Sequence, residues 1–306
     1  VKVIVPFLLV SLTAIAAPGT PLRAPDGSNI ADWQTAPNPK KPYIAQIWTP
    51  TAKPLPLLED SPHDHVHHHG LMFALAVDGT DFWGEVGAPN LGTQVPATST
   101  RFPAGDGFTQ ILHWTAPDGT RLLDETRTVR VRATGSVAKG DAVHWLDWRS
   151  DLTPAPGCDS VKLSGSHYFG LGLRFAPAWS NHGVFRWQDT KGQITVRGDE
   201  KLTPGRWCAA EHTSDGQPLT VLMLSHPDNP RAGAWFTMSK PFCYLSATYD
   251  LEKNPFVLAK GKSWTLRHSL AVLGKSTDAA ALDLMARDWQ ASLTKLFPVE
   301  PKPEQP

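Results

Sequence analysis

An all-β fold, a large antiparallel β-sandwich carrying one C-terminal helix, is what the sequence predicts, and three observations predict it. The 28 prolines and 24 glycines interrupt the 306-residue chain too often for long helices. Between these breaks lie short stretches in which apolar and polar residues alternate, the period of a half-buried strand. The connections between them are mostly too short for the crossover helices that parallel strands require, which leaves antiparallel sheets packed face to face. Twelve tryptophans against four tyrosines supply large rings for such a core. Most are expected inside it, and the remainder could stack on a ligand.

The elements follow in order. Residues 1–16, VKVIVPFLLVSLTAIA, combine Lys2, an apolar run and the small residues Ala14-Ile15-Ala16, the pattern of a secretory signal cleaved near Ala16. That reading places the mature chain in the periplasm or outside the cell. The apolar run is short for a bilayer span, and no other segment is long and apolar enough to be one. Residues 17–62 are Pro-rich, with one strand at Tyr43–Trp48, and read as an arm over a single body spanning 63–297. Within the body, Gln110–Trp114 and Leu122–Arg132 flank Ala116-Pro117-Asp118-Gly119, a hairpin signal. Val129, Val131 and Ala133 alternate there with Thr128, Arg130 and Arg132, so one face of that strand is wet. Further strands are expected at Val143–Leu152, Gly183–Trp187, Gln193–Arg197, Leu219–Ser225, Ala234–Met238 and Trp264–Leu273. Leu282, Met285, Trp289 and Leu293 fall at helical spacing within Asp278–Lys295. Residues 298–306 read as a Pro-rich tail.

Charge removes one class of function. Lys and Arg (29) balance Asp and Glu (29), so no uniform field draws the chain to nucleic acid or another polyanion. Cys158, Cys208 and Cys243 are too few and too far apart for a disulfide framework or a cysteine zinc motif.

The most informative stretch is Ser61-Pro62-His63-Asp64-His65-Val66-His67-His68-His69-Gly70. Imidazole titrates near neutral pH and, uncharged, ligates metals. If the segment is extended, His63, His65, His67 and His69 share one face, with Asp64 and His68 on the other. Such a face could take a divalent metal, Cu, Zn or Mn, as a cofactor. Neighbours on one straight strand enclose a single ion poorly, so a metal also needs a bend or a ligand from elsewhere. A solvated polar loop is the other reading.

Three further segments carry candidate chemistry. In Asp81-Phe82-Trp83-Gly84-Glu85 the indole can desolvate Glu85 and raise its pKa, making it an acid/base carboxylate. The segment His167-Tyr168-Phe169-Gly170-Leu171-Gly172-Leu173-Arg174 offers a base, glycines and a guanidinium, or else a glycine-relieved core strand. In His226-Pro227-Asp228-Asn229-Pro230-Arg231 two prolines stiffen a polar loop that could preorganise His226 and Arg231. Asp124 and Glu125, on an Arg-rich hairpin arm, read as paired surface charge.

These motifs, in this order, resemble a bacterial family known as PmoA-like, or methane-oxygenase-related, over about Lys41 to Leu273. Asp64, His65, His67, His68 and Gly70 match its first motif, Asp-His-Pro-His-His-Arg-Gly; Val66 stands where Pro is usual and His69 where Arg is usual. Asp81–Glu85 and His226–Arg231 match well. An oxygenase subunit embedded in a membrane needs several apolar spans, which this chain lacks. The resemblance instead implies the large sandwich of galactose mutarotase-like proteins, which handle sugars with His and Glu on a concave face.

The expected function is a carbohydrate-active protein, an enzyme by preference, whose partner is a small sugar or glycoside. His65, His68, Glu85 and His226 would supply acid–base catalysis, and Trp83, His67, His167, Arg174 and Arg231 would bind substrate. A non-catalytic carbohydrate-binding protein and a His-cluster metalloprotein are the alternatives.

Overall fold

A computed structural model describes residues 19–34, 40–231 and 233–296. The signal-like segment and the Pro-rich tail lie outside these residues. Period-2 alternation organises what is described. In Arg121–Thr134, Val129 and Val131 are buried while Arg130 is exposed, and Ala116–Gly119 closes the hairpin to Gly107–Thr115. The strands pair antiparallel.

They form three sheets. A nine-stranded sheet runs Thr20–Arg23, Asn29–Gln34, Tyr43–Ile47, Leu71–Ala74, Gly170–Arg174, Tyr244–Thr248, Ala234–Met238, Lys201–Pro204 and Ile194–Thr195. An eight-stranded sheet runs Val184–Trp187, Trp207–Ser214, Gln217–Ser225, Trp264–Leu273, Val143–Pro154, Arg121–Thr134, Gly107–Thr115 and Thr93–Arg101. A small four-stranded sheet adds Phe256–Ala259, Ser160–Ser164, Ala76–Val77 and Thr80–Asp81. Side chains of the two large sheets share one continuous apolar core, including Leu71, Phe73, Leu171, Leu173, Leu245, Phe108, Trp114, Val129 and Val131.

The helix Ala279–Leu296 covers part of the other face of the eight-stranded sheet. Leu282, Trp289 and Leu293 pack there on Trp145, Trp207, Leu222, Leu224 and Ala271, the stripe that the helical spacing predicts. Asp278 caps it, its carboxylate accepting from the Ala281 N–H at 2.8 Å. No helix among the described residues is long and apolar enough to cross a membrane.

Two expectations are corrected here. The segment read as an arm is part of the body, since three of its strands belong to the nine-stranded sheet. Glu125 is not a surface charge but fully buried. Arg127 grips it twice at 2.8 Å, and Ser150 (2.6 Å) and the Trp114 indole (3.0 Å) complete its shell. Arg127 also donates to the Pro42 carbonyl at 2.9 Å and to Gln94 at 3.0 Å, so this pair ties the two large sheets together. Ten of the twelve tryptophans are buried, Trp48 and Trp187 being half-buried, so the surplus of indole fills the core and not a sugar groove.

Candidate active site

The site is built on the face of the nine-stranded sheet that points away from the shared core. Along Gly170–Arg174 the leucines point into that core, so Gly170, Gly172 and Arg174 occupy the opposite face. Gly172 pairs with Ser246 and Met72, and Arg174 pairs with Tyr244. A Cβ on Gly172 would lie 1.7 Å from the Tyr244 hydroxyl and 3.3 Å from Trp83. Only glycine lets Tyr244 lie across this strand.

The histidine segment rises above that face as a loop, not a strand. Asp60 and His69 close its base as an antiparallel bridge, and the Ser61 N–H donates to the His68 carbonyl at 2.9 Å. Inside it two turns follow one another, from the His65 N–H to the Pro62 carbonyl (3.1 Å) and from the His68 N–H to the His65 carbonyl (2.8 Å). Gly70, at φ +40°, ends the loop where a Cβ would meet the Ile44 carbonyl at 2.2 Å. Consecutive turns abolish the expected sharing of faces. The rings of His65, His67 and His68 gather instead, with centroids 4.7 Å apart for His65–His68 and His67–His68 and 5.7 Å for His65–His67.

Arg174 anchors this gathering from below. It is buried, donates to Glu59 at 2.9 Å and to both oxygens of Asp64 at 3.2 Å, and reaches His68 Nδ1 at 3.4 Å. Its guanidinium also lies 3.7 Å from the centroid of the Phe242 ring.

His65, His67 and His68 form one wall of a cavity of about 510 Å³. Tyr168, Phe236, Met238, Phe242 and Tyr244 supply flat and apolar surface, and Arg197, Asp199, Glu200 and Lys240 supply charge. Glu200 is buried, and Arg197 donates to it at 2.6 Å. Its second oxygen has no hydrogen-bond partner within the described residues and lies 3.9 Å from His167 Nε2. Burial, helped by the Lys41 ammonium and the other imidazoles, pushes His67 down to about 4. Burial, the neighbouring His67 and His65 rings and then Arg174 push His68 to about 2. Both are uncharged at neutral pH. Burial raises the Tyr168 and Tyr244 phenols, which therefore keep their protons.

The other expected site residues divide. Trp83 is buried, stacked on Phe169 at 4.9 Å and edge-on to His68 at 6.1 Å, so it supports the histidine wall and presents no face to a sugar. Arg174 is likewise spent on internal partners. His167 sits beside the cavity, with Nδ1 3.3 Å from Glu252 and its ring against Tyr168 and Phe236. His226 and Arg231 are elsewhere. His226 Nδ1 accepts the Asp228 N–H at 3.0 Å and the ring meets Trp289 of the helix, while Arg231 donates to the Asn254 carbonyl and covers Phe256.

Glu85 is the clearest difference from expectation. It does not line the cavity but lies in a chain running Lys41, Glu85, His69, Asp60 and Tyr43, with contacts of 2.7, 3.1, 2.7 and 2.8 Å. Burial does push its pKa up, as expected, but the hydrogen bond from His69 and the Lys41 ammonium outweigh it and leave Glu85 below the usual carboxylate range. The two carboxylates flanking His69 likewise outweigh its burial and raise it. With both nitrogens of His69 so engaged and His63 exposed, the expected set His63, His65, His67 and His69 does not converge. Among the described residues no three His, Cys, Asp or Glu side chains are arranged to hold a metal ion. The three cysteines are free.

What the motifs missed is the opposite wall. Asp199, Glu200 and Lys240 carry no recognisable spacing, and only the pairing of Lys201–Pro204 with Ala234–Met238 brings them beside the histidine loop. Tyr168 lay inside a motif that was read through its neighbour His167.

A family model described as a family of unknown function (DUF6807) matches residues 24–287. No curated protein sequence matches the chain. Among solved structures, the galactosidase domain of the α-galactosidase–sucrose kinase AgaSK is similar at 9% identity and a TM-score of 0.46, over 80% of this chain and 39% of that one. The GH36 α-galactosidase AgaA from Geobacillus stearothermophilus, solved with raffinose, is similar at 9% identity and a TM-score of 0.36, over 86% of this chain and 31% of that one. The chain thus spans less than half the length of either, and nothing of their activity is carried over.

Proposed function

The chain belongs to the DUF6807 family, whose function is unknown, and we propose from the site itself that it binds a sugar or glycoside and performs acid–base chemistry on it. One observation carries this reading: uncharged imidazoles on one wall and a buried carboxylate on another share a single cavity lined by aromatic rings. Rings and apolar side chains suit the apolar face of a pyranose, and a few convergent polar groups suit its hydroxyls. His67 and Glu200 are placed to accept a proton and Tyr168 to donate one; His65 and His68 orient the substrate. Ring opening, epimerisation, elimination and glycoside cleavage all need such a donor and acceptor across one sugar.

The test is a panel of mono- and oligosaccharides and oxidised (keto) glycosides, followed by calorimetry for binding and NMR for product. Turnover that falls by about a hundredfold or more in both His67→Ala and Glu200→Gln is the expected result. Turnover unchanged in both variants refutes the assignment, and binding without product over long incubation assigns the cavity to a non-catalytic binding protein. The signal-like residues 1–16 support export to the periplasm or beyond, which N-terminal sequencing of the secreted protein would test.

A further inference from the structure

The charges around the cavity do not all find partners in the protein. Glu200 is held by Arg197 at 2.6 Å. Asp199 is spent on the turn Ser239–Phe242. One of its oxygens accepts from the Ser239 N–H (2.7 Å), the Ser239 hydroxyl (2.9 Å) and the Lys240 N–H (2.9 Å). The other end of this turn is pinned by Arg174 stacked 3.7 Å from the Phe242 ring, and the Asn181 N–H ties the Ser239 carbonyl at 2.8 Å. Three elements thus hold a four-residue turn against the cavity, and its one charged side chain is Lys240. Lys240 is exposed and lines the cavity, and no carboxylate among the described residues pairs with its ammonium.

The histidine wall adds to this asymmetry. Lys41 and Arg174 lie behind it, and both cations contribute to keeping His68 uncharged. Their carboxylate partners, Glu85 for Lys41 and Glu59 and Asp64 for Arg174, lie outside the cavity lining. A ligand here meets a free ammonium on one side and polar imidazoles on the other. Its own charge decides how well it fits.

We propose that the ligand is an acidic sugar, a hexuronate or a glycoside of one, whose carboxylate pairs with Lys240. This rests on the sugar reading above and narrows it to a substrate class. A sulfate or phosphate ester of a sugar also presents negative charge to Lys240, one unit for the sulfate and about 1.5–2 for the phosphate at neutral pH, so the experiment includes both sources.

Calorimetric titration of the whole chain and of Lys240→Met would use galacturonate, glucuronate, galactose, glucose, galactose 6-sulfate and galactose 6-phosphate, at low and at high salt. Lys240 is exposed, and methionine keeps most of its apolar stem, so folding is not at stake. The expected result is that uronates bind the native chain about tenfold tighter than the neutral sugars, as one charge-assisted hydrogen bond allows. That preference shrinks at high salt and disappears in Lys240→Met. Equal affinity for acidic and neutral sugars, a preference that survives Lys240→Met, or tighter binding of the esters than of the uronates overturns the proposal and leaves the sugar reading standing. Failure of every sugar to bind the native chain overturns the sugar reading and this proposal with it.

Discussion

Gly172→Ala tests the construction of the cavity floor. The added methyl would sit 1.7 Å from the Tyr244 hydroxyl, 2.6 Å from its Cζ and 3.3 Å from Trp83. Tyr244 cannot simply swing aside: its ring packs near His68 (5.5 Å), Phe236 (6.1 Å), Trp83 (6.1 Å) and Phe242 (6.5 Å). Overpacking of this kind costs about 1–3 kcal/mol, and the depth of the clash puts Gly172→Ala towards the upper end. Urea unfolding should show that loss in the midpoint at unchanged slope, with Tm lower by roughly 2–4 °C per kcal/mol. Tyr244→Phe removes only the nearest atom, leaving Cζ within 2.6 Å, so it should rescue Gly172→Ala in part. Tyr244→Ala should remove the clash altogether, giving a coupling of about 0.5–3 kcal/mol in the double-mutant cycle. A Gly172→Ala protein as stable as the native chain, or independent effects of the two changes, would refute the claim that this glycine exists to admit Tyr244.

Other consequences can be checked alongside. Arg127→Met strands Glu125 in the core and should cost about 3–5 kcal/mol in denaturant unfolding; a loss below about 1 kcal/mol would mean that the buried pair does not join the sheets as described. Arg174→Lys keeps the charge but not the planar fork that reaches Glu59, Asp64 and His68, so it should weaken sugar binding as severely as Arg174→Met does. Native-like affinity in the lysine variant would count against that role. His69, raised by Asp60 and Glu85, contributes stability that is complete below the ordinary imidazole value of 6.5 and is lost as pH climbs through its raised folded value. His67 and the buried His268, both pushed down to about 4, act in the opposite sense: stability is full above 6.5 and drains away as pH falls towards 4. Urea midpoints across pH 4–9 should therefore pass through a maximum near neutrality, and His69→Gln should flatten the alkaline side alone.

Much of the fold was legible because its signals are local. The hairpin around Ala116–Gly119, the alternation of Arg121–Thr134 and the helical stripe of Leu282, Trp289 and Leu293 each span a few residues and report only which face is buried. Strands lacking that contrast escaped. Tyr244–Thr248 is buried on both faces and shows no alternation, and Thr93–Arg101 is a polar edge strand broken by a bulge at Pro96.

The histidine cluster shows where local reading ends. Its composition was visible, but its geometry was not: whether four of the five imidazoles share a strand face or the segment folds into two turns depends on the Asp60–His69 bridge and on Arg174, 110 residues from Asp64. Glu85 carried a plausible motif and proved to be neutralised from behind by Lys41, 44 residues away, while Glu200 carried none and faces the cavity. The sequence by itself determined which segments become strands or helix and which residue types are available for chemistry, since backbone period and side-chain identity are properties of neighbours. Only the tertiary structure decided which of those groups meet, because a cavity wall and the charge that tunes it come from strands that find each other across the sheet.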